Sequence, residues 1–484
     1  MAIHAPAFPP DAVWLNVERP LTTEDLRGHI VLVHFWTYAC INCQHALQTL
    51  AALERELEGE PLVVVSVHSP KFPTQREEER VREAVRQLEV RHPVVLDPDS
   101  SITHSYAVRG WPTIVFVDPA GAILGVGPGE PEPQALLGVM RQALAQYRVQ
   151  GVLTGGPLPI HVEPPEPRTL SFPSAVVTGT VAGTECVIVA DAGHNEVAVF
   201  DHAGAKVRRL GSGVLHRPCG LALVDGTLYV ADTGNHVVRA FDLASGDVTS
   251  VAEAPGLRSP WGLAWDGSRL YIAGAGTHQL WVFDPVTADT SLLAGTGAEG
   301  GRDGGASAAT FAQPSGLALA GDTLYVADSE TSSIRAVTDL DGTPQVRTIV
   351  GRGDLFGFGD RDGAGPVVEM QHPIGIATGA PGGGRLYVAD TFNHKVRTLD
   401  AATRACRTLF GNGDSELAPG GTPGTGLTSA SPTLPAFIEP EGLAWWPGPD
   451  LGPDNGGELL VADTGNHRLL AIRLSDGARR VLVG

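Results

Sequence analysis

Two hydrophobic periodicities divide the chain. Up to about residue 150, apolar runs of strand length alternate with stretches whose apolar residues recur at helical spacing. Residues 30–35 are continuously apolar apart from His34, which predicts a strand buried in the middle of a sheet. Ala46, Leu47, Leu50, Leu53 and Leu57 then follow a helical period that stops near Gly59. Residues 62–67 read as a second buried strand, 75–88 as a charged helix with Val81, Val85 and Leu88 on one face, and 93–96 as a short third strand. After a helical turn at 101–106, a strand over 108–117 turns through Asp118-Pro119-Ala120-Gly121 into a hairpin partner at 122–126, and a helix over 132–147 closes the domain. The opening segment to about Asp25 is Pro-rich and reads as an arm followed by a capped turn. Strand–helix alternation that ends in a hairpin predicts an α/β sandwich with a mixed sheet over residues 1–150.

Beyond this point the pattern changes. Gly155-Gly156-Pro157 and Pro164-Pro165-Glu166-Pro167 mark residues 151–168 as a linker stiffer than a Gly/Ser tether. The rest of the chain repeats itself. Pro218-Cys219-Gly220-Leu221-Ala222 with Leu228-Tyr229-Val230-Ala231-Asp232 returns as Pro373-Ile374-Gly375-Ile376-Ala377 with Leu386-Tyr387-Val388-Ala389-Asp390. Further copies start at Pro260, Pro314 and Pro440, and a degenerate first copy has Pro173 and Val189-Ala190-Asp191. Each of the six units reads as four short strands. So small a sheet cannot bury both faces alone, so the units must stack, and radial closure predicts an all-β six-bladed propeller over residues 169–484.

Composition narrows the partners. A formal net charge of -20 repels phosphate backbones, which argues against nucleic acid. The first twenty residues hold Asp11 and Glu18 without an apolar core, and no later apolar run reaches a membrane span. The expectation is therefore a cytoplasmic protein with no signal peptide and no membrane partner. Five cysteines, an odd number in so long a chain, do not make a secreted disulfide framework.

The chemistry concentrates where the first strand meets the first long helix, at Cys40-Ile41-Asn42-Cys43. A thiolate at a helix N-terminus faces unpaired backbone N–H groups and the positive end of the helix dipole, so its thiol pKa is expected to fall. Cys40 is then the nucleophile, and Cys43, one turn further in, resolves the mixed disulfide. The only cofactor implied is the Cys40–Cys43 disulfide itself. Zinc would need a second ligand pair, and His45 is too close in sequence to complete a site, so no metal is expected. Asp232, Asn235 and His236, recurring as Asp390-Asn393-His394 and Asp463-Asn466-His467, offer metal-type ligands, but copies in different blades lie far apart. A strand-end turn, with the Asp accepting backbone N–H groups and the His packing between blades, is the expectation. Turn chemistry is likewise expected of Asp303-Gly304 and Asp362-Gly363. The inward strands show no gathered set of carboxylates, Asn and His of the kind enzymatic propellers use.

In this order and spacing, Phe35-Trp36, the cysteine pair and Gly110-Trp111-Pro112-Thr113 resemble the thioredoxin-like fold. The resemblance implies that Pro112 is cis and lies against the cysteines, and that Trp111 exposes its backbone to an extended substrate strand. Two departures stand out. His34 occupies the place of the family's buried carboxylate, as either a proton acceptor or a core histidine bonded to backbone. Ala39 replaces the aromatic that usually precedes the first cysteine. The repeats resemble NHL repeats, and both halves together, with Trp36 to Cys43 and Val67-His68-Ser69-Pro70-Lys71-Phe72, resemble the NHL-repeat-containing protein 2 family. The resemblance implies a thiol–disulfide oxidoreductase of cell redox homeostasis, with protein thiols or disulfides as substrates and a protein docked on a propeller face. The alternative it leaves is a non-enzymatic scaffold or redox sensor that binds protein through the propeller. RNA binding, as in some NHL proteins, would need a basic propeller face, which the acidic excess over 151–484 opposes.

Overall fold

The computed structural model describes residues 3–181, 183–380, 384–411, 436–447 and 457–484. The chain divides into two compact units, Met1–Pro167 and Arg168–Gly484. Among the described residues, no helix is long and apolar enough to cross a membrane.

Unit 1 is a thioredoxin-like sandwich. Its strands are β1 (Trp14–Leu15), β2 (Ile30–Trp36), β3 (Leu62–His68), β4 (Val94–Leu96), β5 (Thr113–Val117) and β6 (Ile123–Pro128), and its helices are α1 (Thr23–Leu26), α2 (Ile41–Glu56), α3 (Glu78–Gln87), α4 (Ser101–Ser105) and α5 (Pro133–Gln150). The sheet order is β1-β4-β3-β2-β5-β6. The β2/β3 and β3/β4 pairs are parallel, while β2/β5 and the β5/β6 hairpin are antiparallel. Alternation along β2 serves two cores. Val31, Val33 and Phe35 pack with Val65, Val67 and Val115 on one face. Ile30 and Leu32 pack with Leu50 and Leu53 of α2, with Leu57 just beyond it, and with Leu136 and Met140 of α5 on the other.

Three features of unit 1 depart from the sequence expectation. The N-terminal arm contributes an edge strand, with Trp14 opposite Val95 and Leu15 opposite Val94. It is held by Phe8 edge-on to Trp14 and by the Tyr106 hydroxyl donating to the Pro6 carbonyl at 2.9 Å. The strand expected over 108–117 begins only at Thr113. Gly110-Trp111-Pro112 instead forms a bend closed by Thr113 Oγ1 donating to the Gly110 carbonyl at 2.8 Å. Finally, the stretch expected as a linker runs along unit 1. Glu18 N donates to Pro159 O, His161 N to Asn16 O and Gly155 N to Gly28 O. Arg86 pairs with Glu163 at 2.8 Å, and Leu153 and Leu158 join the two cores. Apolar side chains spaced among the prolines turn this segment into a strap.

Unit 2 is a six-bladed propeller of antiparallel sheets. Each blade takes its strands from one contiguous stretch: Pro173–Val181 to Lys206–Leu210, Pro218–Val224 to Val248–Ala252, Pro260–Trp265 to Asp289–Ala294, Pro314–Ala320 to Gln345–Val350, Ile376–Thr378 to Ala405–Phe410, and Pro440–Trp446 to Arg479–Val483. Gly304–Gly305 and Gly363–Ala364 add a fifth, outer strand to blades 4 and 5. Asp303 and Asp362, expected only to make turns, instead reach the buried Arg335 and Arg397 at 2.8 and 2.6 Å.

One device joins every blade to the next. A residue in the left-handed region just after the second strand accepts an N–H from the residue before the next blade's first strand. The acceptors are Asn195, His236, His278, Ser332, His394 and His467, and the donors are Arg217, Ser259, Gln313, His372, Glu439 and Phe172. The final pair joins blade 6 to blade 1 and closes the ring, with Thr464 Oγ1 donating to Pro173 O at 2.7 Å beside it. Near the axis the inner strands approach so closely that a Cβ on Gly220, Gly262, Gly316 or Gly375 would lie within 2.3 Å of the next blade's carbonyl oxygen. This is why the Pro-x-Gly signature repeats.

Behind the joint lies a buried carboxylate. Asp191, Asp232, Asp328, Asp390 and Asp463 are fully buried, and each accepts one backbone N–H and one arginine. Arg209, Arg239, Arg335, Arg397 and Arg468 supply the guanidinium groups. Blade 3 has Gly274 and Trp281 in those places, and a Cβ on Gly274 would touch the indole at 3.0 Å. There a large ring fills the space that an ion pair fills elsewhere.

Candidate redox-active site

The cysteine pair stands where β2 ends and α2 begins. Cys40 is the N-cap of α2, and its Sγ accepts the Cys43 N–H at 3.3 Å. Its carbonyl accepts the Cys43 and Gln44 N–H groups at 3.1 Å. A sulfur placed on a first-turn amide at a helix N-terminus stands where a reactive cysteine belongs. Cys40 is partly accessible, whereas Cys43 is fully buried. All five cysteines are free thiols. The other three differ in kind: burial pushes Cys219 and Cys406 up to about 12 and raises Cys186 as well, so they stay protonated near neutrality.

The loop before the pair is tightly tied. Thr37 Oγ1 donates to Gln75 Oε1 at 2.9 Å, and the same oxygen takes the Lys71 and Phe72 N–H groups. Gln44 Nε2 holds the Tyr38 carbonyl at 2.9 Å. His45, weighed as a zinc ligand from its position, pairs instead with Glu130 at 2.9 Å. The Trp111–Pro112 peptide is cis, and the Pro112 carbonyl accepts Gly129 N–H at 2.8 Å. The β2/β5 register puts Phe35 opposite Thr113, so the bend carrying Trp111 and Pro112 lies at the same end of the sheet as the cysteines. Trp111 stays outside the ladder and is partly exposed.

His34 continues the face of β2 that carries Ile30 and Leu32, the face packed on α2. It is fully buried, and its Nδ1 bonds a side chain, Ser66 Oγ at 3.2 Å, rather than backbone. From there a chain runs outward: Ser66 Oγ to His92 Nε2 at 2.7 Å, and His92 Nδ1 to Glu54 at 3.0 Å. Glu54 is partly exposed. Burial, with His92 adding to it, depresses His34 to about 3, so its ring is neutral at physiological pH. Its Nε2 has no hydrogen-bond partner among the described residues. Neighbouring His68, stacked on Tyr38 and edge-on to Trp36, is likewise depressed by burial to about 3.

Sequence reasoning therefore reached Cys40, Cys43, His34, Trp111 and Pro112, and the fold gathers them at one end of the sheet. It missed Gln75, Ser66, His92, Glu54 and Glu130, which carry no motif and act only through partners distant in the chain. The Asp-x-x-Asn-His elements hold no metal-type arrangement, because Asn235, Asn393 and Asn466 each donate back to the Asp of the same turn. Among the described residues one triad, Asp191, His194 and Glu196, has ligand spacing. The Arg209 guanidinium bonds both of its carboxylates and supplies the cation.

Residues 4–125 match the AhpC/TSA family. NHL repeat-containing protein 2 of Homo sapiens is 34% identical over 98% of this chain and 70% of its own length. Protein SUPPRESSOR OF QUENCHING 1, chloroplastic, of Arabidopsis thaliana is 34% identical over 98% of this chain and 47% of its own. Thiol-disulfide oxidoreductase YkuV of Bacillus subtilis is 26% identical over 24% of this chain and 78% of its own, so the first unit is related to thiol–disulfide oxidoreductases.

Proposed function

The chain belongs to the NHL repeat-containing protein 2 family, and from that premise we propose that it is a thiol–disulfide oxidoreductase of cell redox homeostasis that acts on protein substrates. The observation that carries this reading is Cys40 Sγ capping α2 on the Cys43 N–H, with Cys43 buried directly behind it. The Cys40 thiolate attacks a substrate disulfide, one substrate sulfur leaves as thiolate, and a mixed disulfide forms. Cys43 then attacks Cys40 Sγ, closing the Cys40–Cys43 disulfide and expelling the second substrate thiolate. Two electrons pass from the dithiol to the substrate, and an external dithiol reductant restores the pair. The backbone at Trp111, next to cis-Pro112 and outside the ladder, holds the substrate strand.

His34 takes the proton that Cys43 gives up. With Nδ1–H donated to Ser66, Nε2 is free to accept. Passing protons in turn through Ser66 and His92 to Glu54 lets a neutral imidazole relay a charge it does not hold. The propeller serves as the docking surface for the substrate protein, and the sparse, odd cysteine count fits a reducing compartment such as the cytoplasm. Reduction of a protein disulfide such as insulin, with dithiothreitol regenerating the pair, tests the proposal. Cys40→Ser is expected to abolish the rate above background, and equal rates would leave a scaffold or sensor.

A further inference from the structure

The propeller axis holds a cavity of about 460 Å³ lined by the inner strands of all six blades. At one end, the residue after the blade-opening proline lines the cavity in five of the six blades: Ser174, Cys219, Trp261, Ile374 and Glu441. Glu441 is the one charged side chain in this lining among the described residues. It is 8% exposed, and among the described residues no hydrogen bond or ion pair holds its carboxyl. The nearest charges, Glu439 and Arg217, act on it only through space. The rest of the wall is aliphatic, with the indole of Trp261 at the same end as Glu441 and those of Trp265 and Trp445 four residues further along their inner strands.

A carboxyl buried without a partner is costly, and folded proteins rarely keep one. The propeller's other buried carboxylates show the usual solution, since each Asp behind a blade joint has its own arginine. Glu441 has none among the described residues, and it lines an open cavity rather than packed core. One carboxyl in a cavity walled by aliphatic side chains and indole rings is the set of groups that binds an organic ammonium on an apolar body, combining an ion pair, cation–π contact and apolar burial.

We propose that the axial cavity is a binding site for an organic cation, a protonated amine or guanidinium on a small apolar body, with Glu441 as its counter-ion. The cation can be a free amine or a lysine or arginine side chain on a docked protein. Burial, reinforced by Glu439 and opposed by Arg217, pushes Glu441 up to about 8, so it is mostly protonated at pH 7. The neighbouring Cys219 thiol remains protonated there. A cation that pairs with Glu441 must therefore release close to one proton.

Calorimetric titration of the full chain tests this. The free probes are n-butylammonium and agmatine, the side-chain probes are Ac-Gly-Lys-Gly-amide and its Nε-acetylated form, and the controls are butyramide and butyrate. Saturable binding of a cationic probe is expected, at least tenfold weaker in Glu441→Gln, accompanied by proton release at pH 7 and unchanged in Cys40→Ser. Binding confined to the lysine peptide assigns the site to a docked side chain, and binding of the free amines assigns it to a small molecule. Glu441→Gln removes no partner, so it should melt no lower than wild type, which controls for folding. Trp261→Phe, which keeps an apolar wall, should weaken the same probes. No saturable binding by any cation, equal binding by Glu441→Gln, or equal binding of butyramide would overturn the proposal.

Discussion

We propose that His34 sets how the cysteine pair handles its proton: a buried carboxylate in that place would hold the proton itself, whereas a neutral imidazole joined to Ser66, His92 and Glu54 would pass it on. Removing the ring by His34→Leu or cutting the chain by Ser66→Ala should therefore act alike. Each is expected to slow the resolving step by about a hundredfold or more, within the range of general acid–base contributions, and to alter its pH profile. Stopped-flow decay of a mixed disulfide between pH 6 and 9 measures this. A Ser66→Ala enzyme with an unchanged profile would reduce His34 to a core residue. Cys40, Cys43, Pro112 and His34 were legible because motif spacing fixes them relative to one strand. Gln75 and Glu130 were not, because their partners Thr37 and His45 lie 38 and 85 residues away.

The propeller's element is the Asp turn with its left-handed acceptor. The repeat made the blades legible, and it also made blade 3 look merely degenerate. The structure shows compensation there, Gly274 and Trp281 replacing an aspartate and an arginine as a unit. A double-mutant cycle in blade 2 tests the equivalence. Asp232→Gly leaves Arg239 without its carboxylate, and Arg239→Trp leaves Asp232 buried without its cation, each at an expected cost of about 3 kcal/mol. The double variant should cost clearly less than the two together, as read by denaturant unfolding. Additive losses would show that blade 3 owes its stability to something else. That the ring closes was legible from the repeat; how it closes was not, because Thr464 meets a carbonyl 291 residues back in the chain.

At the scale of the whole molecule, the two units should respond to pH in opposite directions. His34 and His68, both in unit 1, are depressed from 6.5 to about 3. Their stabilisation is fully present above pH 6.5 and is lost as pH falls through the folded values, about 2 kcal/mol for each by pH 5. Glu441, in unit 2, is raised from 4.5 to about 8. Its contribution is present below pH 4.5 and is lost as pH rises toward 8, at about 1.4 kcal/mol per pH unit. Between pH 8 and 5, hydrogen exchange should show the β2–β3 core weakening while the inner strands of the propeller gain protection. Parallel trends would contradict this assignment of buried charge. We propose that the two units act together in the step that commits a substrate, the propeller presenting a protein disulfide to Cys40. Trapping tests that directly. The Cys43→Ser chain, incubated with disulfide-containing proteins and mapped by mass spectrometry, should accumulate mixed disulfides on Cys40 alone, and Cys40→Ser should accumulate none. Adducts spread over Cys186, Cys219 and Cys406, or an unmodified Cys40, would contradict it.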